Sequence, residues 1–125
     1  MLWYIAAGSA LGGVARYLVA VAFHRPTPVP IGTLLVNITG SLLLGVLARY
    51  ATDASGWSPE LKAFLMIGFC GGYTTFSTFS LEVAELIRLH AFGRAAAYAT
   101  LSAGLSIGAV FLGFGLADWF RGHSR

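Results

Sequence analysis

Long apolar stretches separated by short polar ones set the pattern of this chain. Residues 26–48, 63–81 and 95–117 contain no Asp, Glu, Lys or Arg, and a fourth stretch, from residue 1 to His24, is interrupted only by Arg16. A helix needs about 20 residues, at ~1.5 Å each, to cross ~30 Å of hydrocarbon. The pattern therefore predicts four helices, at 2–23, 31–50, 61–88 and 94–119, in a single four-span transmembrane domain over residues 1–125. The expected fold class is all-α and polytopic. Between the spans, His24-Arg25-Pro26-Thr27-Pro28-Val29-Pro30 holds three of the four prolines and cannot continue a helix. The connector from Ala51 to Pro59 ends in a helix-start signal, with Ser58 as N-cap, Pro59 at the first helical position and Glu60 near the positive dipole end. The third connector, around Leu89-His90-Ala91-Phe92-Gly93, is short and implies an antiparallel neighbour.

Composition strengthens the membrane reading. Hydrophobic residues make up 57% of the chain and charged ones 10%, against roughly 25% charged in soluble domains. A chain of 13.2 kDa cannot bury that much apolar surface in one soluble core, and the same numbers exclude disorder. Sixteen glycines suit closely packed membrane helices. Met1-Leu2-Trp3-Tyr4 lacks a basic start, so the first span reads as retained rather than cleaved. Trp3, Tyr4, Tyr50, Trp57 and Trp119 fall near span ends, where an interfacial aromatic belt belongs. The net charge of +3 is scattered and forms no basic run for nucleic acid. Basic loop residues divide four against three: Arg49, Lys62, Arg121 and Arg125 on one side, Arg25, Arg88 and Arg94 on the other. Such a balance does not choose an orientation. Either something else fixes the topology, or the chain inserts both ways, which would permit an antiparallel two-fold dimer.

Polar residues at membrane depth are the best guide to function, because they are costly unless paired or facing water. Thr33, Asn37 and Ser41 form one helical stripe; Tyr98, Ser102 and Ser106 form another. Ordinary interhelical hydrogen bonds, worth ~0.6 kcal/mol each, account for isolated hydroxyls more easily than for the Asn37 amide. The segment Gly68-Phe69-Cys70-Gly71-Gly72-Tyr73-Thr74-Thr75-Phe76-Ser77-Thr78-Phe79-Ser80 mixes a double glycine with hydroxyl residues. It predicts a helix break near Gly71 to Thr75. A break there is tolerated only where freed backbone groups are buried in protein or line a cavity; released carbonyls could hold a small cation, or the break could be a packing kink. Phe76 and Phe79 share a face near Thr75, and their positive ring edges could contact an anion. Arg16 is the one full charge well inside a span; it either snorkels or favours an anion, and Glu82 or Glu85 could balance it. Gly8-xxx-Gly12 and Gly104-xxx-Gly108 have the spacing of close helix contacts. Cys70 reads as a small buried apolar residue, and His24, His90 and His123 show no metal-ligand spacing. No catalytic constellation is present, so the chain does not read as an enzyme.

The stretch Gly32-Thr33-Leu34-Leu35-Val36-Asn37-Ile38-Thr39-Gly40, the Gly68–Ser80 segment above all, and Gly12-Gly13-Val14-Ala15-Arg16-Tyr17 resemble the Fluc (CrcB) fluoride ion channels. The likeness covers essentially the whole chain. It implies a dual-topology antiparallel homodimer with two pores, passing fluoride passively across the cell (inner) membrane and keeping cytoplasmic fluoride low. It further implies that Asn37 is a pore asparagine, that Phe76 and Phe79 contact fluoride, and that Ser102 and Ser106 belong to a polar track bordered by Thr75 and Tyr98. Arg16 would be a vestibule arginine, and the carbonyls of Gly71 and Thr74 would hold a structural sodium ion at the dimer centre. Two other readings compete. A dual-topology multidrug or cation antiporter would work through an acid in the first span, where this chain has Arg16 instead; a purely structural subunit would leave the third-span break and the polar stripes unexplained.

Overall fold

The computed structural model describes residues 1–52 and 56–124. Asp53, Ala54 and Ser55 of the second connector, and Arg125 of the charge count, lie outside the described residues. In chain order the elements are α1 (Leu2–Ala22), α2 (Ile31–Thr52), α3 (Pro59–Lys62), a π-helix π1 (Ala63–Cys70), α4 (Gly71–Tyr73), α5 (Phe76–Arg88) and α6 (Phe92–His123). The described residues contain no strand. Three helices are long and apolar enough to cross a membrane: Leu2–Ala22, Ile31–Ala51 and Phe92–His123. Residues 59–88 contain no single helix of that length, because Thr74 and Thr75 are extended and divide the segment.

Local chemistry explains the boundaries. The Leu61 N–H donates to Ser58 Oγ at 3.1 Å, with Pro59 at the first helical position, as the sequence pattern requires. α6 starts earlier and ends later than the hydropathy pattern suggests. Its 32 residues make a rod of roughly 48 Å, so it must tilt or project beyond the hydrocarbon. The turn into α6 is tight: His90 takes a positive φ of 56° and donates its N–H to the Ile87 carbonyl, while Ala91 donates to Leu86.

Glycines set the helix contacts. A Cβ at Gly8 or Gly12 would collide with the Phe64 or Phe69 carbonyl, and one at Gly72 would lie 2.6 Å from the Ser9 carbonyl oxygen. The first small-residue pair is thus the seam between α1 and the π1–α4 rod. Gly71 and Gly72 remain helical, Gly71 at φ −63°, ψ −37°; the double glycine permits close packing at Gly72, and the chain leaves the helical conformation only at Thr74. A second seam, which the sequence pattern did not reveal, joins α2 and α6: a Cβ at Gly113 would sit 2.5 Å from the Leu42 carbonyl oxygen, and one at Gly45 would strike Val110. Gly104 and Gly108 have nothing within 4 Å of an added Cβ, so that pair forms no close helix seam among the described residues. The ends of α2 and α6 are tied by Arg49 and Asp118 at 2.7 Å. Val36, Leu47, Tyr98, Ala109 and Ala117 are buried, whereas Leu11, Leu18, Phe111 and Leu112 point outward, as on a lipid-facing surface.

Candidate functional site

The site grows from the two extended residues between α4 and α5. Thr74 (ψ 157°) and Thr75 (φ −149°, ψ 120°) expose backbone groups that a continuous helix would have paired. Asn37 on α2 receives them: its amide nitrogen donates to the Thr75 carbonyl at 3.0 Å, and the Thr75 N–H donates to Asn37 Oδ1 at 2.8 Å. The asparagine side chain therefore acts as a local backbone partner and satisfies the break. This diverts the N–H that would have closed on the Gly71 carbonyl four residues earlier. Thr75 also caps α5, accepting from the Thr78 N–H at 3.2 Å, and its hydroxyl donates to Thr78 Oγ1 at 3.1 Å.

Beside this break lies a cavity of about 270 Å³ lined by Asn37, Ser41, Thr75, Phe76, Phe79, Ser102 and Ser106. The Phe76 and Phe79 rings stand 5.6 Å apart, and Phe79 lies 5.3 Å from the buried Tyr98 ring. Ser102 is buried, and Ser106 Oγ is buried with no hydrogen-bond partner among the described residues. One donor of Asn37 remains after its two bonds to Thr75, since the amide carries two N–H groups. Eight of the residues marked by the sequence line one cavity, namely Asn37, Ser41, Thr74, Thr75, Phe76, Phe79, Ser102 and Ser106, while Tyr98 touches the Phe79 ring without lining it.

A second cavity shares Thr75 with it, and a third shares Ala20 and Thr33 with the second. The second, of about 300 Å³, is lined by Arg16, Thr33, Thr75 and Thr78 among others, which places Arg16 beside the break rather than in the phenylalanine cavity. Neither glutamate in α5 balances it: Glu85 pairs with Arg88 at 2.7 Å, and Glu82 holds two hydroxyls. The third, of about 380 Å³, is lined by His24, Arg25, Thr33, Glu82 and Arg94 among others. At its floor, Thr33 Oγ1 donates to Glu82 Oε1 at 2.7 Å and the Tyr98 hydroxyl donates to Glu82 Oε2 at 2.6 Å. The sequence pattern marks Glu82 only as a possible arginine partner. Its position three residues after Phe79 was the available signal, because that spacing returns to the same helical face. The described residues contain no group of three or more His, Cys, Asp or Glu able to hold a metal. Gly71 is exposed on the outer face, and an added Cβ there would meet only the Met66 carbonyl oxygen, at 4.0 Å.

Apolar membrane-length helices around a cavity of hydroxyls, an amide and two phenylalanine rings define a multi-pass membrane protein with a donor-lined interior. Residues 3–114 match the family described as CrcB-like protein, Camphor Resistance (CrcB), and the chain belongs to that family. It is 48% identical over 118 residues to a protein of Rhodospirillum centenum named fluoride-specific ion channel FluC, covering 93% of this chain and 94% of the relative. A protein of Nitrobacter winogradskyi with the same name is 50% identical over 111 residues, covering 87% and 88%.

Proposed function

We propose that this chain is a fluoride channel, passing the ion passively out of the cell and lowering cytoplasmic fluoride. The observation that carries the reading is the cavity beside the Thr74–Thr75 break, where Ser106 Oγ lies buried without a partner beside Ser102, a remaining Asn37 donor and two phenylalanine rings. Fluoride is small and strongly hydrated, so a path must replace its water with closely spaced donors. Charge-assisted hydrogen bonds are roughly twice as strong as neutral ones, and positive ring edges add contacts without binding too tightly to release. The cavity lining carries no acid or base, which suits an anion crossing without proton exchange. Arg16 in the adjoining cavity raises the local potential in favour of an anion.

The working unit we propose is an antiparallel, dual-topology homodimer with two pores, in which residues 59–88 serve as a fourth, broken span of a single domain over residues 1–125. Phe76 is 79% exposed in the single chain, next to a polar cavity. Polar groups opening toward hydrocarbon are unfavourable, so a second copy is the natural cover. Gly71 and Thr74 fit a structural sodium ion in that dimer: sodium takes oxygen donors, the N–H normally closing on Gly71 is diverted to Asn37, and Gly71 sits on an unobstructed face. Carbonyls from two copies would complete the set. Purified protein in liposomes should release fluoride and retain chloride, with no dependence on a proton gradient. Absence of fluoride release from correctly assembled protein, or equal release of both halides, would overturn the reading.

A further inference from the structure

Three residues of α2 grip the three residues at the break. Asn37 holds the Thr75 backbone. Gly40 passes so close that an added Cβ would collide with the Thr74 methyl group and lie 2.9 Å from the Tyr73 ring. Thr39 takes Tyr73, with the two hydroxyl oxygens 2.9 Å apart. The Thr39 hydroxyl gives its one hydrogen to the Leu35 carbonyl at 2.7 Å, so the tyrosine is the donor between them. The Tyr73 ring also stacks on Phe69, with centroids 5.9 Å apart and planes within 7°. Tyr73 is thus pinned at its ring and at its tip, and it is the last helical residue before the chain turns extended. Neither Tyr73 nor Thr39 lines the phenylalanine cavity, and the proposed conduction makes no use of either.

The carbonyls on either side of Tyr73 lose their helical partners. The Thr75 N–H goes to Asn37 instead of Gly71, and the Thr78 N–H goes to the Thr75 hydroxyl instead of the Thr74 carbonyl four residues earlier. Freed carbonyls bind a cation well only when they are held in place, because oxygen sites select by ligand number, cavity size and rigidity. Residues 71 and 72 are glycines, and Thr74 gives its hydroxyl hydrogen to Cys70 in its own rod at 3.0 Å. Among residues 71–74, Tyr73 is therefore the side chain that ties the rod to α2 by a hydrogen bond. Resting on the sodium seam of the proposed function, we propose that Tyr73 is its positioning residue: by donating to Thr39 it fixes the direction of the Gly71 and Thr74 carbonyls and so sets the sodium affinity of the dimer. Without that bond the carbonyls hold the binding arrangement for a fraction of the time, and apparent affinity falls by that fraction.

The test is dimer content by sedimentation in detergent across a sodium titration, with an organic cation holding the ionic strength constant. It compares the wild type, Tyr73→Phe, Thr39→Val and the double variant. Tyr73→Phe keeps the ring on Phe69 and removes only the donor. Each single variant should need about fivefold more sodium for half-maximal dimer, the equivalent of ~1 kcal/mol for one neutral hydrogen bond. The double variant should need no more than either single one, because both substitutions break the same bond. A bond that only stabilises the fold would lower the unfolding midpoint equally with and without sodium and leave the half-maximal sodium concentration where it was; that result overturns the inference. Fully additive shifts in the double variant overturn it too. If Tyr73→Phe fails to fold, Thr39→Val is read alone: a raised sodium requirement supports the inference and an unchanged one overturns it. A sodium-responsive wild type with unshifted variants sinks only this inference, whereas a wild-type dimer indifferent to sodium sinks the proposed seam as well. Halide release from liposomes decides the conduction reading separately.

Discussion

Asn37 and Ser106 border the same cavity and answer different physical demands. Asn37 spends an acceptor and one donor on the Thr75 backbone, so its loss strips partners from a buried N–H and a buried carbonyl. Asn37→Ala should cost roughly 2–3 kcal/mol, at about 1–1.5 kcal/mol for each net bond. It should also cut fluoride flux at least about tenfold, the equivalent of ~1.4 kcal/mol for a donor lost from the path. Thermal unfolding in detergent and liposome flux read the two effects separately. Ser106 has no partner among the described residues for its Oγ to lose. Ser106→Ala should leave the unfolding midpoint nearly unchanged while lowering flux; normal flux would remove this hydroxyl from the path.

At the scale of the element, the α1 seam is held by backbone close to backbone. Gly72 stands against Ser9 with no room for a side chain, and the atoms it would strike cannot rotate aside. Gly72→Val should therefore destabilise the protein by roughly 1–3 kcal/mol through overpacking, seen as a lowered unfolding midpoint. The neighbouring glycine behaves oppositely, because a Cβ at Gly71 meets open space. The contrast separates adjacent residues that sequence alone treats as one motif. The divided segment obeys the same local logic: α4 ends where Thr74 turns extended, and α5 restarts because Thr75 supplies a cap and Asn37 supplies the missing partner.

For the whole molecule, open space at Gly71 becomes a prediction about assembly. Gly71→Val should leave the unfolding of the single chain within about 0.5 kcal/mol, as surface substitutions usually do, while weakening the proposed dimer. Sedimentation in detergent, with sodium and with an organic cation replacing it, measures this. A dimer indifferent to both the substitution and the cation would exclude the sodium seam. Side-specific labelling of the connector between α1 and α2 tests dual topology directly: about half the copies should react from each side if the chain inserts both ways.

The amino-acid sequence by itself determined the membrane setting, the approximate positions of the three long apolar helices, the Ser58 cap and the polar stripes. These depend on local periodicity and on the cost of charge in hydrocarbon, and both are written along the chain. It also brought Phe76 and Phe79 together, since a spacing of three on one helix leaves no choice of face. Tertiary structure alone decided which groups remained free to act. Asn37 finds Thr75 across 38 residues and Glu82 collects hydroxyls from α2 and α6, so their partners depend on how separate helices meet. The two small-residue pairs carry the same spacing, yet one packs a seam and the other faces open space, because close contact needs a partner surface that no single helix contains.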